Sequence, residues 1–194
     1  MESGNPVSLL IIVTMRILKD RSAALIIDVQ ERLYPFIFEN EKLTRNLSKL
    51  IEGLKIIGIP LFVTEQYVKG LGSTIEPVAA ILGNHPRIEK MAFSCCDEPS
   101  VMEGIAVSGK ENIIIAGIES HVCVLQTVID LKQNGYFPIV IEDCVSSRSE
   151  NDKRMAIERM RQEGAIITTC ESILFELLRY SGTEQFKGIS KLIK

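Results

Sequence analysis

Three side chains in this chain combine reactive chemistry with a place where it can be used: Cys123 in AGIESHVCVLQT, Asp28 in LIIDVQ and Lys90 in RIEKMAFSCC. Cys123 follows the apolar run NIIIAGI, a short turn and the opening of a helix. A thiol at a helix start feels the positive end of the helix dipole, and a neighbouring ammonium adds to it. Both favour thiolate, so the expectation is a lowered Cys123 pKa. Backbone N–H groups of the same turn, from about Glu119 to Cys123, would converge on one point and could serve as an oxyanion hole. Asp28 stands directly behind three apolar strand residues, where a charge is expensive to bury unless something pairs with it. Lys90 is a candidate partner, since an Asp–Lys pair can hold the ammonium in place and shuttle the thiol proton. Each residue also has a plainer reading: an inert buried Cys, a solvated Asp at a strand end, a surface Lys. Only the three together point to nucleophilic catalysis.

Other reactive types carry less. His121 lies two residues before Cys123, and residues two apart on a helix do not face one another, so it caps the turn or lines the pocket. His85, in GNHPR, reads as a loop residue. Cys95 and Cys96 are adjacent and read as small packing residues, because a vicinal disulfide needs unusual geometry. Cys144 and Cys170 read as strand-end packing. KGLGST, from Lys69 to Thr74, lacks both the third Gly of a dinucleotide fingerprint and the G-K-[ST] of a P-loop, so no nucleotide cofactor is expected.

The elements that must position these groups alternate along the chain. Short, continuously apolar runs read as buried strands: Ser22–Val29, Pro60–Glu65, Asn112–Ile118, Phe137–Asp143 and Ala165–Cys170, with a weaker one near Arg87–Lys90. Between them, Leu43, Leu47, Leu50, Ile51, Leu54 and Ile57 recur at helical spacing, and Gly58 and Pro60 supply the stop. Further helices are expected over Pro77–Leu82, Pro99–Val107, His121–Asn134, Glu150–Glu163 (Ser149 and Asp152 forming a capping box) and, last, about Ser172–Tyr180. This alternation is the signature of an α/β fold with a mostly parallel sheet covered by helices. In such sheets ligands bind outside the carboxyl ends of the strands, where Asp28, Lys90 and Cys123 all fall.

Composition sets the bounds. The 194 residues, 46% of them hydrophobic, suffice for one domain with a sizeable core, and there is no repeat or linker at which a second would begin. The organisation expected is therefore an N-terminal extension or added strand over residues 1–20, followed by a single domain over 21–194. A net charge of -3, with bases and acids interleaved, does not favour a nucleic acid partner. The five Cys show neither C-x-x-C nor Cys/His zinc spacing, which reads as a reduced, cytoplasmic protein. The run VSLLIIVTM, Val7 to Met15, is too short to span a bilayer and follows Glu2 rather than a basic stretch, so no membrane segment is expected. It reads as an apolar strand or arm, or as an extended start ahead of Met15.

LIIDVQ with Asp28, KMAFS with Lys90 and AGIESHVCV with Cys123, in that order, resemble the three catalytic segments of the isochorismatase-like cysteine hydrolases. The resemblance covers about Ala23 to Leu178. DVQERLYP, VTEQYVKGLGSTIEP and GIESHVCVLQT bring it nearest to the metal-free isochorismatase-domain branch. It implies a three-layer α/β/α, Rossmann-like fold with a doubly wound sheet of six parallel strands, usually in a homo-oligomer. It implies Cys123 as nucleophile, Asp28 as proton acceptor and Lys90 as its charged partner, with a non-proline cis peptide near Ile118–Glu119 and the amides of Glu119 and Cys123 as the oxyanion hole. Glu65, Gln66 and Tyr67 would then lie on a loop lining the pocket, with Gln66 the polar substrate contact and Tyr34, Phe93 and Ile118 as walls. Nicotinamidases of the superfamily hold a metal through an Asp and two His on the loop after the second strand; no His lies between Leu61 and Asn84, so no metal is expected.

The reading that follows is hydrolysis of a small amide, carbamoyl or imide C–N bond through an acyl-enzyme. Vinyl ether hydrolysis of an isochorismate-like substrate is the enzymatic alternative, because Asp28 alone can serve it. A binding or scaffold protein that keeps an old site, and a redox role for Cys123, are the alternatives of other classes.

Overall fold

Buried apolar runs pair side by side because their backbone groups have no water to turn to, and here six of them form one all-parallel sheet. The computed structural model describes residues 16–194; the run Val7–Met15 lies outside the described residues. The strands are β1 (Ser22–Ile27), β2 (Leu61–Gln66), β3 (Ile88–Lys90), β4 (Asn112–Ile118), β5 (Phe137–Ser146) and β6 (Ile166–Thr168), in the spatial order β3-β2-β1-β4-β5-β6. From β1 the chain winds outward to β3 and then returns to the other side of β1 through β4. That reversal opens a crevice between the carboxyl ends of β1 and β4. The three-layer, doubly wound architecture implied by the sequence is the one observed.

β1 shows how the layers are fed. All six of its residues are buried, with Ala24 and Ile26 facing one core and Ala23, Leu25 and Ile27 the other, the two-residue alternation of a strand covered on both faces. The first face is covered by α1 (Asn40–Ile57), α3 (Glu76–Leu82), α7 (Cys170–Leu178) and α8 (Glu184–Ile193). The second is covered by α4 (Pro99–Ser108), α5 (Leu125–Gln133) and α6 (Glu150–Gln162). A four-residue turn of helix, α2 (Val68–Leu71), follows β2. In α1 the apolar stripe buries Leu47, Leu50, Ile51 and Leu54 completely, worth about 1.5–3 kcal/mol each relative to exposure. Gly58, in the left-handed region, ends it by giving its N–H to Leu54 and Lys55.

Several boundaries differ from the sequence-based expectation. β5 runs on to Ser146, and the register opposite Ile115 and Gly117 shifts where it does so. The segment expected as one helix from His121 opens as a wide π-helical turn, Ser120–Val124, before α5 begins. The helix expected over Ser172–Tyr180 is α7, two residues earlier, because Thr169 caps it through the Ser172 N–H. α2 and α8 were not anticipated.

Candidate active site

Three neighbouring strand ends bring the reactive residues together. The register pairs Ile27 of β1 with Thr64 of β2, and Gln66 of β2 with Lys90 of β3, so Asp28, Thr64 and Lys90 share one corner. On the other side Ile27 is paired with Gly117 of β4. Gly117 has φ 124°, and any Cβ there would collide with the Ile27 carbonyl oxygen. Only glycine lets β4 approach this closely, and that approach sets the turn after β4 beside Asp28. Asp28 itself leaves β1 with φ 50°, a left-handed conformation that Asp tolerates better than most residues.

The Asp28 carboxylate is fully buried. Thr64 Oγ1 donates to its Oδ1 at 2.8 Å, and Lys90 Nζ lies 2.7 Å from Oδ2 with neither side chain exposed. The same ammonium donates to the carbonyls of Ala92 and Phe93, both at 3.0 Å. Its contact with Oδ2 has the length of a hydrogen bond but not the alignment, so Oδ2 keeps a lone pair without a directed donor. Cys123 sits in the π-helical turn, 4% exposed, and its thiol donates to Gln66 Oε1 at 3.2 Å. The Glu119 carbonyl accepts the amides of Val122 and Val124 at 3.1 and 3.2 Å, which passes over the Cys123 amide between them. The Ile118–Glu119 peptide is cis.

Burial dominates the protonation chemistry. It pushes the Asp28 carboxyl up, against the opposing pull of the Lys90 ammonium and of the Thr64 hydrogen bond. Burial works against the Lys90 ammonium too, but attraction to Asp28 and to the neighbouring thiols outweighs it and leaves the Lys90 pKa raised. The Cys123 thiol is pushed up by burial and by the Asp28 charge, with Lys90 only partly offsetting them. This corrects the expectation of a lowered thiol pKa: the positive helix end is outweighed by desolvation and by the negative charge of Asp28. The sulfur therefore rests as a thiol rather than as a preformed thiolate.

The remaining candidates divide. Gln66 meets the thiol directly, but as the last residue of β2 rather than on a loop. Glu65, also in β2, is taken up by the backbone and hydroxyl of Thr74 at 2.7 and 2.6 Å. Tyr67 is 44% and Phe93 52% exposed beside the site, while the Phe93 carbonyl holds Lys90. The Tyr34 hydroxyl is hydrogen-bonded to Thr44 of α1 at 2.9 Å. Ile118 has no exposed surface and packs with Ile37 and Leu43, so it backs the turn instead of walling an open pocket. His121 Nδ1 lies 3.0 Å from Ser147 Oγ, and the Glu119 carboxylate accepts from Arg148 Nε at 2.8 Å. All five cysteines are free. Among the described residues no group of three or more His, Cys, Asp or Glu converges as a metal site.

Three participants escaped the sequence reading. Besides Thr64, the buried Gln30 clamps Gln66, accepting its N–H at 2.7 Å and donating to its carbonyl at 2.9 Å and to Gly72 at 2.6 Å. Thr127 donates to the Cys123 carbonyl at 2.7 Å and accepts the Cys95 amide at 2.9 Å. A sequence signal for Thr64 and Gln30 exists only once β1 and β2 are placed in register.

A model of the Isochorismatase domain family matches residues 22–172. The chain belongs to that family. This isochorismatase-domain protein is 38% identical over 184 residues to Isochorismatase family protein 1B of Dictyostelium discoideum, covering 92% of the chain and 89% of that relative. It is 36% identical over 184 residues to the Secreted isochorismatase effector Isc1 of Phytophthora sojae, covering 92% and 87%. Among solved structures it superposes with a TM-score of 0.87 on a chain titled MAR1 Ribonuclease from Caenorhabditis elegans, at 38% identity and 92% coverage of both. The YcaC gene product of Escherichia coli, titled an octameric hydrolase of unknown specificity, gives a TM-score of 0.86 at 25% identity, covering 92% of this chain and 89% of that one. The isochorismatase-domain assignment carries the coarse class of hydrolase. No helix among the described residues is long and apolar enough to cross a membrane.

Proposed function

We propose that this protein hydrolyses a small amide, carbamoyl or imide C–N bond, with Cys123 as nucleophile and Asp28 as the group that moves protons. The observation that carries this reading is the undirected lone pair of Asp28 Oδ2 in a fully buried Asp28–Lys90 pair whose charges bear directly on the Cys123 thiol. Asp28 takes the thiol proton as Sγ bonds to the carbonyl carbon, and the oxyanion forms against the amides of Glu119 and Cys123. The C–N bond then breaks as Asp28 returns that proton to nitrogen, leaving a thioester. Water attacks the thioester, gives one proton to Asp28 and expels the sulfur, which recovers the proton as thiol. Lys90 stays charged throughout and holds Asp28 ionised in a place where burial alone would neutralise it. With the thiol 4% exposed, the opening suits a small substrate.

Cys123→Ala should lower turnover by about a thousandfold or more, measured on a panel of small amides and carbamates; full activity in that variant ends the reading. One observation favours the alternative, vinyl ether hydrolysis: the raised Asp28 pKa also suits a general acid. There Asp28→Asn abolishes activity and Cys123→Ala does not. A small neutral substrate is preferred here over RNA because the edge cation Arg148 is already paired with Glu119 and the rim carries Tyr67, Met91 and Phe93. Cleavage of RNA dependent on Cys123 or Asp28 would reverse that preference. We place the protein in a homo-oligomer, in keeping with its octameric solved neighbour, and in a reducing compartment such as the cytoplasm, in keeping with five free cysteines. Light scattering of the purified chain and localisation of a tagged one test these two points.

A further inference from the structure

Gln66 is held more firmly than a general pocket-lining residue needs to be. Gln30 grips its backbone on both sides, at 2.7 and 2.9 Å. Its side chain is oriented as well: Nε2 points to the Met91 carbonyl at 3.4 Å, long but with an acceptor-only partner, and Oε1 accepts the Cys123 thiol at 3.2 Å. Turning the amide over would set oxygen against oxygen at Met91 and remove the acceptor from the thiol. The site therefore presents a fixed acceptor beside the attacking sulfur.

That acceptor loses its donor when chemistry begins. Once the thiol proton passes to Asp28, the Oε1 of half-buried Gln66 faces a sulfur without hydrogen and has lost its donor until another arrives. The next atoms to arrive near Sγ are those bonded to the attacked carbon. We infer that Gln66 Oε1 accepts an N–H on the nitrogen attached to the carbon that Cys123 attacks, and so selects amide and carbamoyl substrates over esters. This rests on the cysteine-hydrolase reading above. A nitrogen without hydrogen, or an oxygen or methyl group in its place, leaves Oε1 unpaired or sets it against a lone pair. Sites built to pair with an N–H discriminate against analogues that lack it.

Two matched reagents test this without knowledge of the natural substrate. 4-Nitrophenyl carbamate and 4-nitrophenyl acetate share a leaving group and differ by NH2 against CH3 on the attacked carbon. Both are activated enough to acylate a thiol, and release of nitrophenolate above the buffer rate reports the step. The readout is the ratio of carbamate to acetate rates. In Gln66→Leu that ratio should fall by about tenfold or more; Gln66→Glu, which keeps an acceptor oxygen, should retain the ratio. Should Gln66→Leu fail to fold, Gln66→Met removes the acceptor at nearly the same volume. An unchanged ratio in Gln66→Leu or Gln66→Met overturns the assignment, as does an equal fall for both reagents. Cys123→Ala run alongside separates the two levels: release that survives it defeats the hydrolytic reading, whereas release that needs Cys123 with an unchanged ratio defeats only the role of Gln66.

Discussion

Two stretches of the same sheet edge differ more than their sequences suggest. At the ends of β1 and β3, Asp28 and Lys90 form an ion pair with no exposed surface. Toward the end of β5, a cavity of about 780 Å³ opens between α1 and α6, lined by Glu39, Lys42, Glu142, Asp143, Lys153 and Arg154 among others. It is rich in charge, and none of Asp28, Lys90 or Cys123 lines it. Its pairs are water-facing: Lys153 meets Glu142 at 3.0 Å with side chains 17% and 42% exposed. Asp143 is spent on the N–H of Cys170 at the start of α7, at 2.8 Å. On the proposed function, reactivity at this sheet edge follows from desolvation of a few paired groups, and neither the number of charges nor the size of a cavity marks it.

The contrast breaks most sharply at Lys90. Lys90→Met removes the partner of a buried carboxylate and should destabilise the fold by about 3–5 kcal/mol, measured by denaturant titration near neutral pH. Because the folded Lys90 pKa is raised, the stabilisation is fully present below 10.5 and is lost as pH rises through the folded value. The wild type should lose that contribution at alkaline pH, and Lys90→Met should not. Thr64→Val comes next: it deletes a hydrogen bond to a charged oxygen at nearly constant shape, for about 1.5–3 kcal/mol, and lifts the Asp28 pKa further. The acid limb of the pH–activity profile should move to higher pH; an unmoved limb would detach Thr64 from the proton chemistry.

A third test concerns the thiol. Cys123 in the resting protein should alkylate with iodoacetamide more slowly than a free cysteine throughout pH 7–9, with no plateau there, since its pKa lies above the ordinary 9.0. Rapid, pH-independent labelling at neutral pH would restore the preformed thiolate. The smallest effect belongs to the open cavity, where Lys153→Met should cost no more than about 1 kcal/mol, read by thermal denaturation. A loss there comparable to that at Lys90 would erase the distinction between the two regions.

The same distinction explains what could be read from the sequence. Strands buried on both faces announce themselves as continuous apolar runs, and α1 by its Leu and Ile spacing, so the layers were legible. The spacing of Phe186, Ile189, Leu192 and Ile193 was available too, but α8 is short and follows the loop after α7, where no strand remained to require another crossover. Asp28, Lys90 and Cys123 stood out because a charge or thiol behind an apolar run is unusual wherever it ends up. Thr64 and Gln30 did not, because a Thr or Gln at a strand end is ordinary until the pairing of Ile27 with Thr64 gives it a neighbour. The thiol pKa was misread for a related reason: the helix start is local and visible, while burial and the distance to a carboxylate belong to the assembled fold.

The Lys90 ammonium is seated among oxygens that come partly from its own downstream chain, at Ala92 and Phe93. It therefore acts as a permanent counter-ion around which the segment carrying Met91 and Phe93 is moulded. If the proposed function holds, recognition at the rim and acid strength at the floor are in consequence one mechanical unit. An evolutionary or engineered change that reshapes that segment to admit a new molecule will also retune Asp28, and diversification of this site should proceed more readily from the Tyr67 side than from the Phe93 side.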